Sequence, residues 1–228
     1  MEFQRKETYD LADLRQIVEI LRAPDGCPWD REQTHHSIRN NFIEETYEAV
    51  EAIDREDAPL LQEELGDVLF QVLFHSQLEA EAGRFTFDDV VDGIAKKMIE
   101  RHPHVFGEEV ASNTQEVLRN WDAIKQQTKH QKTQTEVLQS VSPALPALMR
   151  ASKVQQKAQK AGFPEEPNGA SAALSPEEAG RLLWQAVRAV RQAGLSAEQM
   201  LSEETDRYIA RFAAWEATQT PHGCGEKV

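Results

Sequence analysis

The sequence predicts a protein built from α-helices. Its apolar residues recur at intervals of three and four in successive stretches of the chain, which is the period of an amphipathic helix. Two of these stretches, residues 42–53 and 61–72, follow each other so closely that they predict a helical hairpin. With 228 residues, of which 40% are hydrophobic, the chain can bury the core of one large or two small domains.

Composition and charge argue against several classes of function. The formal net charge of −14 opposes binding to nucleic acid, because it repels polyanions at long range. No apolar run approaches the roughly eighteen residues of a membrane span, and no apolar segment follows the charged amino terminus. We therefore expect a cytoplasmic protein without a membrane partner. The two cysteines, Cys27 and Cys224, form no C-x-x-C pattern, so neither is expected to bind metal or catalyse.

The first predicted helix spans residues 11–21 and ends before a Pro- and Gly-containing turn at residues 23–26. Residues 27–35 have no apolar period and therefore predict an ordered loop. Trp29 in this loop either fills the core, which is the more common position of a tryptophan, or forms a wall against a base.

The predicted hairpin carries pairs of carboxylates on both of its helices. Glu45 and Glu48 are three residues apart, as are Glu64 and Asp67, so each pair lies on one helical face. Glu44 reaches the same face through its four-residue spacing to Glu48. Each helix therefore offers acidic groups on one side.

The turn of the hairpin sets the level at which these acids meet. Pro59 is well placed in the first turn of the second helix, which Asp57 can cap. If the helices run antiparallel about Glu56, Glu48 lies opposite Glu64, and the other two acids also face each other. Like charges at that distance cannot all stay ionised without protons or cations.

A divalent cation is the natural partner for such a group of acids. Acids on a helix usually form only its solvated face, but these adjoin the apolar stripes and coincide in level across the hairpin. No histidine or cysteine stands among them at ligand spacing. An all-oxygen ligand set favours Mg²⁺ or Mn²⁺ over zinc or a di-iron centre.

A further helix follows the hairpin at residues 90–99, preceded by Thr86 and the capping acid Asp89. Lys97 and Arg101 are four residues apart on it, and they either form solvated surface or face a phosphate. The next helix, residues 117–124, leads into a polar stretch up to residue 136 that has no apolar stripe. This stretch predicts a linker.

Four motifs resemble those of the MazG family of nucleoside triphosphate pyrophosphohydrolases. They are C-P-W-D-x-E-Q-T at 27–34, E-E-x-x-E at 44–48, E-x-x-D at 64–67 and E-R-H-P-H-V-F at 100–106. The resemblance covers about residues 8–130. It implies an all-α helical bundle that forms a homodimer and uses Mg²⁺ to split a nucleoside triphosphate into the monophosphate and pyrophosphate.

The resemblance also implies roles for particular residues. The implied metal ligands are Glu45, Glu48, Glu64 and Asp67, and the implied substrate-binding residues are Lys97, Arg101, Trp121 and Lys125. Glu44 would be a further ligand or the residue that activates water. Asn41 departs from the pattern, since a related catalytic copy has a lysine there.

Fuller members of that family carry two copies of the unit, and the second half of this chain resembles a degenerate copy. Residues 63–71 align with residues 177–185, and Arg207 and Arg211 repeat the four-residue spacing of the earlier cations. Arg181 replaces the aspartate, and a loop-like segment at 164–171 replaces the first acidic helix. We expect a catalytic domain at 1–130, a linker at 131–140 and a non-catalytic domain at 141–228.

The favoured interpretation is a Mg²⁺-dependent nucleoside triphosphate pyrophosphohydrolase. The sequence offers no P-loop and no set of residues typical of a covalent nucleophile. One alternative is a narrower relative, such as a dimeric dUTPase or a phosphoribosyl-ATP pyrophosphohydrolase. Another is a non-enzymatic helical interaction module whose acids bind metal only structurally.

Overall fold

The computed structural model describes residues 3–108, 112–164 and 174–219. All regular secondary structure within these ranges is helical, which confirms the predicted all-α class. Most of the loop predicted at 164–171 and the residue Cys224 lie outside the described residues. The helices of the described ranges are α1 (Leu11–Arg22), α2 (Pro28–Glu32), α3 (Arg39–Asp54), α4 (Ala58–Glu81), α5 (Phe87–Arg101), α6 (Pro103–Phe106), α7 (Thr114–Thr128), α8 (Gln134–Gln139), α9 (Ala147–Lys160), α10 (Pro176–Gln192) and α11 (Ala197–Gln219).

The chain divides into two compact units, Met1–Val110 and Ala111–Val228. The first unit is built on the hairpin of α3 and α4. Ala49 and Ala52 of α3 are buried, and their small side chains allow the two helices to approach closely. Its core lies beside the hairpin, where residues of α1, α4 and the turn before α3 pack together: Val18, Ile38, Leu73 and Phe74.

Local capping explains where the helices of the first unit begin. The side chain of Asp57 accepts a hydrogen bond from the backbone N–H of Leu60 at 3.1 Å, and Pro59 lies in the first turn of α4. Thr86 and Asp89 form the predicted capping box at the start of α5. Both predicted helix starts are therefore confirmed.

The second unit has its own core, formed by α8, α9, α11 and the turn after α8. The buried residues of this core are Leu138, Val141, Val154, Ala158, Ile209 and Phe212. α10, in contrast, leaves its apolar side chains largely exposed, including Leu182, Leu183 and Trp184. Ser175 caps this helix together with Glu178, and Pro176 stands in its first turn.

Two segments differ from the sequence-based expectation. The predicted loop at 27–35 contains the short helix α2, on which Trp29 is 60% exposed, so that this side chain does not fill the core. The predicted linker at 131–140 contains α8, whose Leu138 is completely buried. Leu138 is the one buried residue of α8, so a search for a repeated apolar stripe misses this helix.

None of the helices in the described ranges combines the length and the apolar character that crossing a membrane requires.

Candidate metal centre

The hairpin brings three carboxylates to one place. One oxygen each from Glu45, Glu48 and Glu64 lies within 4.8 Å of the others. The first two side chains stand one turn apart on α3, and the third comes from α4, which runs back alongside it. This is the level at which the sequence places the acids of the two helices opposite each other.

The three groups differ in how far they are withdrawn from water. Glu64 is buried, with 8% of its surface exposed, whereas Glu45 is half-buried and Glu48 is exposed. Asp67, one turn after Glu64, is exposed and lies outside the group of three. The centre therefore has a buried floor on α4 and an open side toward solvent.

Burial and mutual repulsion both make ionisation of this group costly. Burial raises the pKa of Glu64, and the charges of Glu48 and Asp67 raise it further. Burial is likewise the largest cause of the raised pKa of Glu45, followed by the charges of Asp67, Glu48 and Glu64. Asp67 thus acts electrostatically on both carboxyls, although its oxygens are not part of the closest group.

The buried carboxylate of Glu64 includes an oxygen atom without a hydrogen-bond partner in the described part of the chain. Oε2 of Glu64 is buried and has no hydrogen-bond partner among the described residues. A buried carboxylate oxygen in that position normally finds a donor or a cation. Oxygen donors of this kind suit a hard divalent cation, so the residues present fit the metal that the sequence predicts.

Glu44 stands next to this group on α3 with its side chain exposed to solvent. Its charge contributes to the raised pKa of Glu45, although it is the smallest of the contributions. An exposed carboxylate in that position is open to a water molecule beside the group of three.

The four predicted substrate-binding residues lie on two helices. Lys97 is exposed and Arg101 is 9% exposed, one turn apart on α5 of the first unit. Trp121 and Lys125 are half-buried on α7, which belongs to the second unit. Their contact with a nucleotide remains a prediction.

Sequence reasoning missed a histidine network that lies in the same unit. Nδ1 of His35 and Nδ1 of His75 are 2.7 Å apart, and Nε2 of His35 lies 2.6 Å from the carboxylate of Glu79. Arg84 also donates to Glu79, which lowers the pKa of this carboxyl to about 2, with His35 contributing less. The network borders a cavity of about 450 Å³ whose lining includes Phe42.

A weak signal for this network exists in the sequence. His75 and Glu79 are four residues apart and therefore share a face of α4. His35 ends the E-x-x-H stretch that begins at Glu32, but its partner lies forty residues away. Spacing within one helix cannot reveal a pair of that separation.

Comparison with known proteins places the carboxylates inside a recognised domain. The family model of the MazG nucleotide pyrophosphohydrolase domain matches residues 33–106, which include the whole α3–α4 hairpin. A nucleoside triphosphate pyrophosphohydrolase of Escherichia coli K12 is 39% identical over 218 residues, covering 86% of this chain and 83% of that protein.

Two further relatives extend the comparison. The nucleoside triphosphate pyrophosphohydrolase/pyrophosphatase MazG of Thermotoga maritima is 37% identical over 220 residues, covering 90% of this chain and 84% of that protein. An uncharacterised protein of Bacillus subtilis, YabN, is 48% identical over 147 residues. That match covers 64% of this chain but only 30% of the longer protein.

Proposed function

This chain belongs to the MazG family of nucleotide pyrophosphohydrolases, and we propose that the carboxylates of its α3–α4 hairpin form a Mg²⁺-dependent catalytic centre. It is a hydrolase that acts on the phosphoanhydride bonds of nucleoside triphosphates. We further propose cleavage between the α and β phosphorus atoms, which releases the nucleoside monophosphate and pyrophosphate. Such an enzyme would serve the housekeeping of the cytoplasmic nucleotide pool.

One observation carries this proposal. Three carboxylate oxygens meet within 4.8 Å, and Oε2 of the buried Glu64 has no hydrogen-bond partner among the described residues. A purely solvated acidic face would keep its oxygens in water and its pKa values near their ordinary range. The raised pKa values of Glu45 and Glu64 instead indicate a group that is stable only with protons or a cation.

The proposed ligands have different tasks in holding the cation. Glu64 is fixed by burial, so its oxygen defines the floor of the site. Glu45 and Glu48 approach from α3. Asp67, one turn after Glu64 on α4 and outside this closest group, is proposed as the fourth ligand. When bound there, Mg²⁺ neutralises charge on the triphosphate and lowers the pKa of a bound water. Mn²⁺ offers the same ligand preference and is a possible substitute.

The remaining proposed residues accept the proton of the attacking water or bind the negatively charged substrate. We propose that Glu44 accepts the proton of the attacking water, because its carboxylate is exposed to solvent beside the proposed ligands. Lys97 and Arg101 would hold the triphosphate. The ammonium group of Lys97 is exposed to solvent, whereas the guanidinium of Arg101 is fixed by burial. Trp121 and Lys125 of α7 are proposed to contact the nucleotide as well.

We propose that the enzyme is a homodimer. The hairpin exposes apolar side chains on both helices, among them Tyr47 and Val50 of α3 and Leu65 and Leu69 of α4. Exposed apolar groups on two neighbouring helices favour a second helical surface that removes them from water. Light scattering on the intact chain tests this directly, and a monomer at all concentrations would contradict it.

The second unit is proposed to be non-catalytic. α10 aligns with the acidic part of α4, but Arg181 occupies the position of Asp67. No second group of carboxylates at metal-binding distance occurs among the described residues of the chain. The well-packed core around Leu138 and Phe212 supports a structural role.

A panel of nucleoside triphosphates with and without Mg²⁺ tests the proposed function. We expect metal-dependent release of pyrophosphate from at least one member of the panel. A protein that binds Mg²⁺ but turns over none of them would instead be an interaction module.

A further inference from the structure

The second unit contains a cavity of about 360 Å³ whose lining shares one residue, Lys125, with the proposed substrate-binding set. It lies between α7, α8 and α9, and three lysines line it: Lys125 of α7, and Lys157 and Lys160 of α9. Its remaining polar lining consists mainly of amide and hydroxyl groups that can donate hydrogen bonds, from Gln126, Gln131, Gln134 and Ser140. In a chain with a net charge of −14, this is a local concentration of positive charge.

The lysines are crowded enough to perturb one another. Burial lowers the pKa of the Lys157 ammonium. Three neighbouring ammonium groups, those of Lys160, Lys129 and Lys153, lower it further, and Asp122 opposes them. Positive charge at this position is therefore costly in the absence of an anion.

The protein supplies only partial compensation for this charge. Asp122 accepts a hydrogen bond from the ammonium of Lys160 at 2.8 Å. Among the described residues that line the cavity, it is the one acid. A single carboxylate that is itself exposed cannot balance the two ammonium groups of Lys157 and Lys160, so the α9 side of the cavity retains a positive charge.

The chemistry of the lining selects the kind of ligand. Ammonium and amide groups donate hydrogen bonds, and lysine is a common point-charge partner of phosphate. The cavity has room for more than one phosphate group, whereas a long nucleic acid is opposed by the net charge of the chain. We propose that this lysine cavity binds a small phosphate-bearing anion. Either free pyrophosphate or the phosphate of a nucleotide has the required chemistry.

Calorimetry on the full chain tests this binding without involving hydrolysis. Inorganic pyrophosphate is titrated into the protein in EDTA, so that the carboxylate centre carries no divalent cation. Lys157→Gln and Lys160→Gln each remove one charge from the lining, and we expect each to weaken binding by about ten- to a hundredfold. Lys96→Gln is the matched control, because Lys96 pairs with Asp92 on α5 and does not line the cavity.

A second titration, with adenosine 5′-monophosphate, distinguishes the two sources of the anion. Tighter binding of pyrophosphate identifies the free phosphoanhydride, and tighter binding of the monophosphate identifies the nucleotide. Either result supports the site, provided that the loss follows Lys157→Gln and Lys160→Gln. Binding should also weaken as salt rises, because the contacts are ionic.

Nuclear magnetic resonance keeps the test independent of how well the variants fold. Addition of pyrophosphate to the wild-type protein should shift amide resonances of α9. The inference is overturned if neither anion binds, if both lysine variants bind as tightly as wild type, or if the shifts occur only in α5. It is also overturned if Lys97→Gln alone abolishes binding, since the anion would then lie against α5. None of these results depends on whether the hairpin hydrolyses triphosphates.

Discussion

Glu64 of α4 lies across the hairpin from Glu48 of α3, with carboxylate oxygens of the two within 4.8 Å of each other. One member of this pair is buried and the other is exposed. The contact therefore couples a carboxylate that is costly to ionise to one that water can reach. The electrostatics of the centre follow from this asymmetry.

The first prediction concerns the stability of the metal-free protein. A carboxyl whose pKa is raised by folding binds its proton more tightly in the folded state. Its stabilising contribution is present below the unfolded pKa, near 4.5, and is lost as pH rises through the higher folded pKa. In EDTA, the wild-type protein should therefore gain stability relative to Glu64→Gln as the pH is lowered from 8 to about 4.5, measured as thermal midpoints. A constant difference between the two proteins over this range would contradict the raised pKa.

The histidine network predicts the opposite sign for Glu79. Arg84 and His35 lower the pKa of this carboxyl to about 2, so its contribution is present above its ordinary pKa near 4.5. That contribution is lost as the pH falls from about 4.5 toward 2. Acid unfolding of Glu79→Gln, followed by circular dichroism, should lack this component. The variant should unfold at a higher pH than wild type, and identical acid midpoints would count against the network.

The products of the reaction provide a third prediction. If attack occurs at the α phosphorus, phosphorus NMR of the reaction mixture should show nucleoside monophosphate and pyrophosphate as the first products. A nucleoside diphosphate with orthophosphate would show that the β–γ bond is cleaved instead.

The fourth prediction separates the roles of the two units. Leu138 is fully buried in the core of the second unit, so Leu138→Ala should cost about 2–5 kcal/mol of unfolding free energy. Leu138 belongs to the core of the second unit, whereas the carboxylates lie on the hairpin of the first. Turnover measured well below the melting temperature should therefore be unchanged. Leu174→Ala is the control, since Leu174 is exposed and should cost little. Loss of turnover in a folded Leu138→Ala protein would contradict a purely structural role.

Much of the hairpin follows from sequence patterns that act over one or two helical turns. The spacing of Glu45 and Glu48 on one helix, and the cap of α4 by Asp57, depend on neighbours three or four residues away. The antiparallel arrangement follows from the short connection around Glu56, which adopts a positive φ of 54°. Sequence reasoning therefore predicts the level at which the acids meet.

Other features depend on contacts that no local pattern contains. The hydrogen bond between His35 and His75 joins residues that are forty positions apart in the sequence. α8 is held by the buried residue Leu138 and by hydrogen bonds from Gln134 and Thr135 to the distant Glu216, and its polar residues resemble a linker. The burial of Glu64 is likewise a tertiary property, since its sequence neighbourhood resembles that of the exposed Asp67.

The fifth prediction tests the central claim most directly. Pyrophosphate release is measured against Mg²⁺ concentration for wild type, Glu48→Ala and the control Glu51→Ala. Glu51 is exposed on the same helix and pairs only with Arg55 in the described contacts, so its loss should leave turnover intact. Loss of Glu48 removes a proposed ligand while relieving repulsion on Glu64, so helical content and stability should hold or rise. We predict that Glu48→Ala lowers Mg²⁺-dependent turnover by more than about a hundredfold. A folded Glu48→Ala protein that retains most of the wild-type turnover would show that the hairpin carboxylates are not the catalytic centre.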